Sequence, residues 1–182
     1  MFKKLDILDD THKVLREISK EVSFPLDKET KDTIDHIIKH LTYSQIEEYS
    51  EKYDIRPGMG LSFVQLGILK RIIVIVYEYE EGKFENYVVI NPKIVSNSKE
   101  MIAAEEGEGC LSVNREIEGH VKRFARVTVE GYDIDGNKIR VRAREDLSIA
   151  FQHEIDHLNG ILFYDKIDKN KPFYSEDELR LI

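Results

Sequence analysis

The sequence is poor in cysteine and has no long hydrophobic run. Its 182 residues include one cysteine, Cys110, so no internal disulfide can form and a disulfide-stapled extracellular scaffold is excluded. The longest apolar run, residues 72–77, is far too short to span a bilayer. Residues 1–10 contain no long apolar stretch and carry acidic side chains, which argues against a signal or transit peptide. These absences predict a cytoplasmic protein without a membrane partner.

An excess of positive charge is also lacking. The formal net charge is −8 at pH 7, and a phosphate backbone would be repelled unless a local basic stripe met it. DNA is therefore not an expected partner. The basic residues that do cluster form two small groups: Lys122, Arg123 and Arg126, and Arg140, Arg142 and Arg144. We interpret both groups as solvated faces of strands.

Linkers, repeats and low-complexity tracts are missing from the sequence as well. It shows no Pro/Gly-rich boundary, and its 41% hydrophobic content is ordinary for a globular protein with a core. Residues 1–182 are therefore expected to form a single domain. Charged residues, 34% of the chain, would cover its surface.

Alternating and continuous apolar patterns predict the strands. Residues 71–77 are rich in β-branched side chains, which is typical of a buried strand. Residues 87–90 predict a second strand, which Asn91-Pro92 is expected to end. Residues 126–132 and 138–144 alternate on either side of a turn signal and predict a hairpin.

Helical spacing marks two segments. Residues 27–41 place apolar side chains at helical intervals and predict an amphipathic helix, followed by a polar surface excursion at residues 42–57. A second helix is expected from about residue 146 to Asn159-Gly160, and a short acidic helix from Ser175. The fold class that follows is α+β, with twisted antiparallel sheets around one central helix that carries two histidines.

The central helix contains the pattern His153-Glu154-x-x-His157. Residues four apart lie on one helix face, so the two imidazoles can converge on one metal ion. Glu154 is one step further round and can reach a water molecule on that ion without binding the metal itself. Apolar neighbours indicate that the helix is buried, where two histidines and a glutamate need partners. The pattern therefore predicts a metal-dependent hydrolase.

A catalytic metal site usually has three protein ligands and one open position. No histidine follows His157 to complete a three-histidine set. Cys110, preceded by a glycine, is the stronger candidate, although a lone cysteine is also common as a small buried hydrophobe. Asp165 and Asp168 remain as alternatives. A Cys/His/His set would suit zinc by softness and geometry, and the other four histidines are interpreted as surface or structural.

Residues 58–65 form a glycine-containing segment that could be mistaken for a phosphate-binding loop. It lacks the third glycine of a dinucleotide fingerprint and the Gly-Lys-Ser/Thr of a P-loop. We interpret it as a loop that lies against a substrate, with Gln65 supplying an amide donor. A tight turn with a surface glutamine is the alternative.

In this order, residues 58–65, 108–112 and 152–160 resemble the three signature motifs of the peptide deformylases. The second matches Glu-Gly-Cys-Leu-Ser at every position, and the third matches Gln-His-Glu-x-Asp-His-Leu-x-Gly at every fixed position. The first is similar to Gly-x-Gly-Leu-Ala-Ala-x-Gln, but Ser62-Phe63-Val64 stands where Ala-Ala-Pro is common. Because phenylalanine is bulkier than alanine, the motif does not predict how the side chains pack behind the loop or which side chain forms one wall of a pocket. The resemblance covers most of the chain, and the insertion at residues 42–57 is similar to the type II bacterial subclass.

This resemblance implies a hydrolase of N-terminal methionine processing in the bacterial cytoplasm. It would remove the N-formyl group from the initiator methionine of nascent polypeptides and release formate. Cys110, His153 and His157 would hold one divalent ion per chain. The resemblance implies Fe²⁺ as the native ion, with Zn²⁺, Ni²⁺ or Co²⁺ in preparations.

The same resemblance implies roles in the chemistry. Water on the metal would attack the formyl carbon, with Glu154 as general base and then general acid. The Gln65 amide and the Leu111 backbone N–H would stabilise the oxyanion. Two alternatives are a zinc peptidase that cleaves internal peptide bonds and an inactive homologue that binds nascent chains. The Cys110 segment argues against the first, and Glu154 argues against the second.

The expected partner is an N-formylmethionyl peptide or nascent chain. Its backbone could pair as an added strand with Gly58-Met59-Gly60. Ile149 and Ala150 lie within about one helical turn of His153 and could line the methionine pocket, with plain core packing as the alternative. A transient contact with the ribosome through a local basic patch is compatible with the acidic net charge.

Overall fold

The computed structural model describes residues 2–182 as three α-helices, eight β-strands and three short 3₁₀ segments. The α-helices are α1 (Lys28–Ser44), α2 (Glu47–Tyr53) and α3 (Glu145–Leu158). The strands are β1 (Gly60–Ser62), β2 (Ile72–Glu80), β3 (Lys83–Asn97), β4 (Met101–Ala103), β5 (Arg123–Phe124), β6 (Arg126–Tyr132), β7 (Lys138–Arg144) and β8 (Arg180–Leu181). The 3₁₀ segments are Lys13–Arg16, Phe63–Leu66 and Phe163–Lys166. Within residues 2–182, no helix has the length and apolar character needed to cross a membrane.

The strands form two sheets. β1, β2, β3, β6 and β7 make a five-stranded antiparallel sheet in that order. β5, β4 and β8 make a three-stranded sheet in which β8 runs parallel to β4. Helix α3 contacts strands of both sheets. The predicted α+β class, with antiparallel strands around a central helix, is confirmed, and so is the hairpin of β6 and β7.

The large sheet is buried on both faces where β2 runs through it. Ile72 and Val74 pack in one cluster with Ile37 of α1, whereas Ile73 and Ile75 pack in a second cluster with residues of α3. Successive strand side chains point to opposite faces, so a strand between two helices needs an apolar residue at every position. This requirement explains the continuous apolar run at the start of β2. The buried strand predicted for this segment is confirmed.

Helix α1 follows the predicted amphipathic pattern. The Asp27 carboxylate accepts a hydrogen bond from the Thr30 backbone N–H at 2.6 Å, which caps the first turn. Ile34, Ile37 and Leu41 lie on the buried face of the helix. The helix therefore covers the outer side of β1 to β3 with one apolar stripe.

Helix α3 is buried around most of its circumference. Phe151 and Leu158 are fully buried against the large sheet. The buried polar residues of the helix are Ser148, Gln152, His153, Glu154, Asp156 and His157. The helix ends at Leu158 with Asn159 as its C-cap, and Gly160 follows with φ 71°, a left-handed conformation that glycine adopts without strain. The predicted helix end is confirmed.

The polar excursion predicted at residues 42–57 is largely helical, because α1 runs beyond its predicted end and α2 follows. The rings of Tyr43 and Tyr49 stack with centroids 4.4 Å apart, and Tyr53 stacks on both. Phe2 adds edge contacts to Tyr43 and Tyr53. Aromatic packing between the helices stabilises a segment whose sequence is polar overall.

The strand end predicted at Asn91-Pro92 and the helix predicted from Ser175 are wrong. β3 continues to Asn97 because its register with β6 shifts between Ile90 and Lys93, and the proline falls between these paired residues. Near the C-terminus, a turn leads into β8, which pairs with β4. The C-terminal segment is extended because it pairs with β4, a strand distant in the sequence. The acidic pattern of the segment itself does not predict that pairing.

Phe151→Ala is expected to lower the free energy of unfolding by about 3–5 kcal/mol, because it removes apolar burial and leaves a cavity. Phe173→Ala is the matched control, since this phenylalanine is 52% exposed and its loss should cost about 0.5 kcal/mol or less. Urea denaturation at a fixed metal concentration measures both. Equal effects of the two variants would contradict the packing of α3.

Candidate metal centre

A cleft of about 970 Å³ opens beside α3. Its walls come from the segment leading into β1, from the loop that follows β4 and from α3. The lining residues that matter for the site are Gly58, Gly60, Gln65, Cys110, His153 and Glu154. Each of the three segments singled out in the sequence therefore contributes to one cleft.

Three potential metal ligands meet at this cleft. Cys110 Sγ lies 3.3 Å from His157 Nε2, and His157 Nε2 lies 3.2 Å from His153 Nε2. All three atoms lie within 4.8 Å of one another. A thiolate and two imidazoles are a donor set that suits a divalent transition metal. The residues that the chain brings together therefore fit such an ion.

The downstream acids are not part of this cluster. Asp165 pairs with Arg16, and Asp168 accepts a hydrogen bond from the Asn170 backbone N–H at 2.9 Å. These contacts occupy their carboxylates elsewhere. Cys110 is therefore the third residue of the cluster, and the two aspartates are not.

The remaining histidines lie outside the cleft lining. His40 and His120 are buried, and each accepts a hydrogen bond from a backbone N–H. Burial, with smaller contributions from nearby positive charge, lowers the pKa of His40 to about 4. His12 and His36 are exposed or only partly buried. The four are structural or surface residues, as the sequence predicts.

Glu108 orients His153. Its Oε2 lies 2.8 Å from His153 Nδ1, which directs Nε2 of the same ring towards Cys110 and His157. Burial lowers the pKa of His153, but hydrogen bonds with Cys110 and Glu108 and the charge of Glu154 outweigh it and raise the pKa well above its usual value. By contrast, burial lowers the pKa of His157 well below its usual value and favours the neutral imidazole.

Arg123 holds Glu108 in place. Its guanidinium donates to both Glu108 carboxylate oxygens, at 2.7 and 2.9 Å, and to Asp156 Oδ2 at 2.5 Å. Burial raises the pKa of Glu108, but Arg123 and His153 outweigh this effect and lower it to about 2. Arg123 is only 1% exposed, so its assignment to a solvated strand face is wrong. The positive charge of Arg123 can be buried because it is paired with the carboxylates of Glu108 and Asp156.

Glu154 lies next to the three clustered residues, with its side chain buried. Burial, above all other causes, raises the pKa of its carboxyl group. Ser62 Oγ donates to Glu154 Oε2 at 2.6 Å. A Cβ atom on Gly60 would lie 2.6 Å from Glu154 Oε1, so only glycine leaves room for the carboxylate here. A carboxyl group with a raised pKa beside three potential metal ligands is suited to accept and return a proton.

Gln65 is buried, not a surface glutamine. Its Oε1 accepts from the Ser62 backbone N–H at 2.8 Å. Its Nε2 donates to Ser112 Oγ at 3.1 Å and lies 3.8 Å from Cys110 Sγ. The amide donor therefore faces the loop that carries Cys110 and Leu111.

Arg56, which also lines the cleft, bonds to the backbone of that loop. Its guanidinium donates to the Leu111 carbonyl at 2.5 Å and to the Val113 carbonyl at 3.1 Å. These bonds hold the backbone on either side of Ser112. The sequence patterns do not single out Arg56, because its partners are backbone carbonyls distant in the chain.

The residues predicted to touch a substrate all line the cleft: Gly58, Met59, Gly60, Ile149 and Ala150. β1 is an edge strand, since it has β2 as its only neighbour in the sheet of the described residues. The sequence did not decide whether Phe63 packs behind the loop or forms a wall of the pocket. The side chain is buried in the hydrophobic cluster with α1 and does not line the cleft. Its extra bulk therefore fills the core behind the loop.

Known proteins are similar to this chain over most of its length. A sequence model of the polypeptide deformylase family matches residues 4–173. Peptide deformylase 2 of Bacillus cereus is 40% identical over 173 residues, which cover 95% of this chain and 94% of that protein. The peptide deformylase of Macrococcus caseolyticus is 45% identical over 168 residues, covering 92% and 91%. The crystal structure of the Thermotoga maritima enzyme has a TM-score of 0.71 at 31% identity, covering 91% of this chain and 98% of that one.

Cys110→Ser is expected to remove most of the bound metal, because a hydroxyl does not replace a thiolate as a ligand for a divalent transition metal. Asp168→Asn, at the rejected alternative ligand, should leave metal content unchanged. Elemental analysis after gel filtration measures both. Full metal retention by Cys110→Ser would rule out the cysteine as a ligand.

Glu108→Gln is expected to weaken metal affinity by roughly 10–100-fold, since it removes the charge that orients His153. Glu106→Gln changes an exposed neighbour in the same way and should have little effect. Competition with a chelator measures the affinity of each variant. Equal affinities in the two variants would contradict a role for Glu108 in shaping the site.

Proposed function

Since the chain belongs to the polypeptide deformylase family, we propose that it removes the N-formyl group from the N-terminal methionine of nascent polypeptides and releases formate. The observation that carries this proposal is the convergence of Cys110, His153 and His157 beside a buried Glu154 at a cleft of about 970 Å³. A hydrolase needs an activated water, a base and a stabilised oxyanion. The chain has candidate groups for each of these tasks.

Cys110, His153 and His157 would hold one divalent ion. Their sulfur and nitrogen donors suit both Zn²⁺ and Fe²⁺, and family membership favours Fe²⁺ as the native ion, with Ni²⁺ or Co²⁺ as substitutes. Bound there, the ion would act as a Lewis acid toward water and toward the formyl carbonyl oxygen. We assign no further step to it.

Glu154 would serve as general base and then general acid. Its Oε1 lies against Gly60 at the cleft, and burial raises the pKa of its carboxyl group. A base whose pKa lies nearer neutrality transfers protons efficiently in both directions. It would take a proton from the attacking water and return it to the amine that leaves when the formyl C–N bond breaks.

Gln65 and the Leu111 backbone N–H would stabilise negative charge on the formyl oxygen. The Gln65 amide is fixed at its oxygen by Ser62, so its Nε2 is held in one direction. Arg56 holds the Leu111 carbonyl and limits motion of this loop. Donors fixed before the reaction pay no reorganisation cost when charge develops.

The substrate backbone would pair with the free edge of β1 around Gly58, Met59 and Gly60. Met59, Ile149 and Ala150 supply apolar lining for the methionine side chain. A formyl carbon carries only hydrogen, so a narrow site next to the ligands would exclude the methyl of an acetyl group. These residues therefore match an extended peptide with an apolar first side chain.

We also propose that the protein works in the bacterial cytoplasm and touches the ribosome transiently. On the outer face of β7, Lys138, Arg142 and Arg144 are exposed. Within residues 2–182, none of the three forms a salt bridge with a carboxylate. This local basic face supports contact with an RNA surface in spite of the net charge of −8.

Glu154→Gln is expected to lower kcat/KM for a formyl-Met peptide by about 10²–10⁴-fold while metal content is retained, because the amide cannot accept the proton. Formate release is measured under anaerobic conditions with Fe²⁺-loaded protein, with an acetyl-Met peptide alongside. Glu118→Gln, at an exposed glutamate of the cleft rim, is the control and should keep wild-type activity. Absence of formate release by the wild type, or full activity of Glu154→Gln, would refute the proposal.

A further inference from the structure

We propose that Ser62 is a positioning residue for Glu154: its buried hydroxyl holds one carboxylate oxygen and keeps the other at the cleft. The inference rests on the proposed function, in which Glu154 transfers protons. It assigns a role to a residue that departs from the similar family motif, where alanine is common at this position. The motif alone therefore does not require a hydroxyl here.

The contact between Ser62 and Glu154 is short and buried. Ser62 is fully buried at the end of β1, and its Oγ lies 2.6 Å from Glu154 Oε2. This distance is in the range of an O–H···O⁻ bond, which is stronger than a bond between neutral groups. Burying a serine hydroxyl costs free energy unless it is hydrogen-bonded, and Glu154 supplies the acceptor that Ser62 needs.

The two carboxylate oxygens have different surroundings. Oε2 meets the Ser62 hydroxyl, whereas Oε1 lies where a Cβ on Gly60 would come within 2.6 Å. Gly60 and Glu154 both line the cleft. With Oε2 occupied, Oε1 is the oxygen left to face water and substrate.

The Ser62 hydroxyl also lies close to the backbone of α3. Its Oγ is 2.8 Å from the Glu154 backbone carbonyl oxygen, a second acceptor for the same hydroxyl proton. Both acceptors belong to Glu154, so the hydroxyl is held against this one residue of the helix.

Ser62 also contacts Gln65, but through a different atom. The bond to Gln65 Oε1 comes from the Ser62 backbone N–H, which every residue except proline provides. Ser62→Ala therefore removes the contact with Glu154 and leaves the contact with Gln65. This separation makes alanine an informative substitution.

Ser62→Ala is expected to lower kcat for a formyl-Met peptide roughly tenfold or more, the effect of losing a hydrogen bond to a charged group. KM and metal content should stay at wild-type values, since no metal ligand or cleft wall changes. A crystal structure of the variant should show the Glu154 carboxylate turned away from its wild-type position. Ser148→Ala is the matched control: it removes another fully buried hydroxyl, one that α3 itself carries and that donates to the Phe124 carbonyl at 2.8 Å, and it should leave kcat unchanged.

Two results would overturn the inference. One is an unchanged kcat for Ser62→Ala in an assay where the wild type releases formate. The other is a Glu154 carboxylate that keeps its position in the variant crystal structure, which tests the role without turnover. Failure of the wild type to release formate would instead refute the proposed function, and the crystal structures would still decide whether Ser62 positions Glu154.

Discussion

The burial of helix α3 is the constraint on which the rest of the site depends. Polar groups that leave water cost free energy unless they are hydrogen-bonded, so most buried polar side chains of this helix bond to other parts of the protein. Gln152 exchanges hydrogen bonds with the backbone of Phe124 in β5, at 2.9 and 3.0 Å. Glu154 meets Ser62 of β1, and Asp156 meets Arg123 of β5. The helix therefore fixes the large and the small sheet relative to one another through its polar residues as well as its apolar ones.

The paired charges around His153 extend this constraint from the helix to the loop that bears Cys110. Arg123 lies between Glu108 and Asp156, and Glu108 in turn holds His153. A buried ion network of this kind adds little net stability compared with apolar packing, but removing one member leaves a charge unpaired. Its contribution is geometric: it sets the direction of an imidazole and holds two carboxylates in place. Among residues 2–182, His157 Nδ1 is one of two buried side-chain N or O atoms without a hydrogen-bond partner, so no contact at this nitrogen orients His157 as Glu108 orients His153.

The cleft also depends on two glycines, Gly58 and Gly60. A Cβ on Gly58 would lie 2.7 Å from Leu111 Cδ1, and a Cβ on Gly60 would lie 2.6 Å from Glu154 Oε1. Glycine at these positions lets the β1 segment approach both the Cys110 loop and α3. Close approach of three backbone segments is what places a base, a donor and the metal-binding cluster within one cleft. The bulky Phe63 does not interfere, because it points into the core on the side of α1.

Sequence patterns by themselves determined the central helix, the β6–β7 hairpin, the buried β2 and the pair of histidines with Glu154. Each of these depends on spacing within one element, where the periods of helix and strand translate directly into faces. Among the candidates for a third ligand, the residues alone favoured Cys110, and the resemblance of its segment to a family motif assigned it. Its contact with His157 was decided by the tertiary structure, because the two residues are 47 apart in the chain and meet only where a loop packs on α3. The burial of Arg123 and the contact of Ser62 with Glu154, 92 residues apart, were likewise decided by packing, since no local period reports which distant groups share the interior.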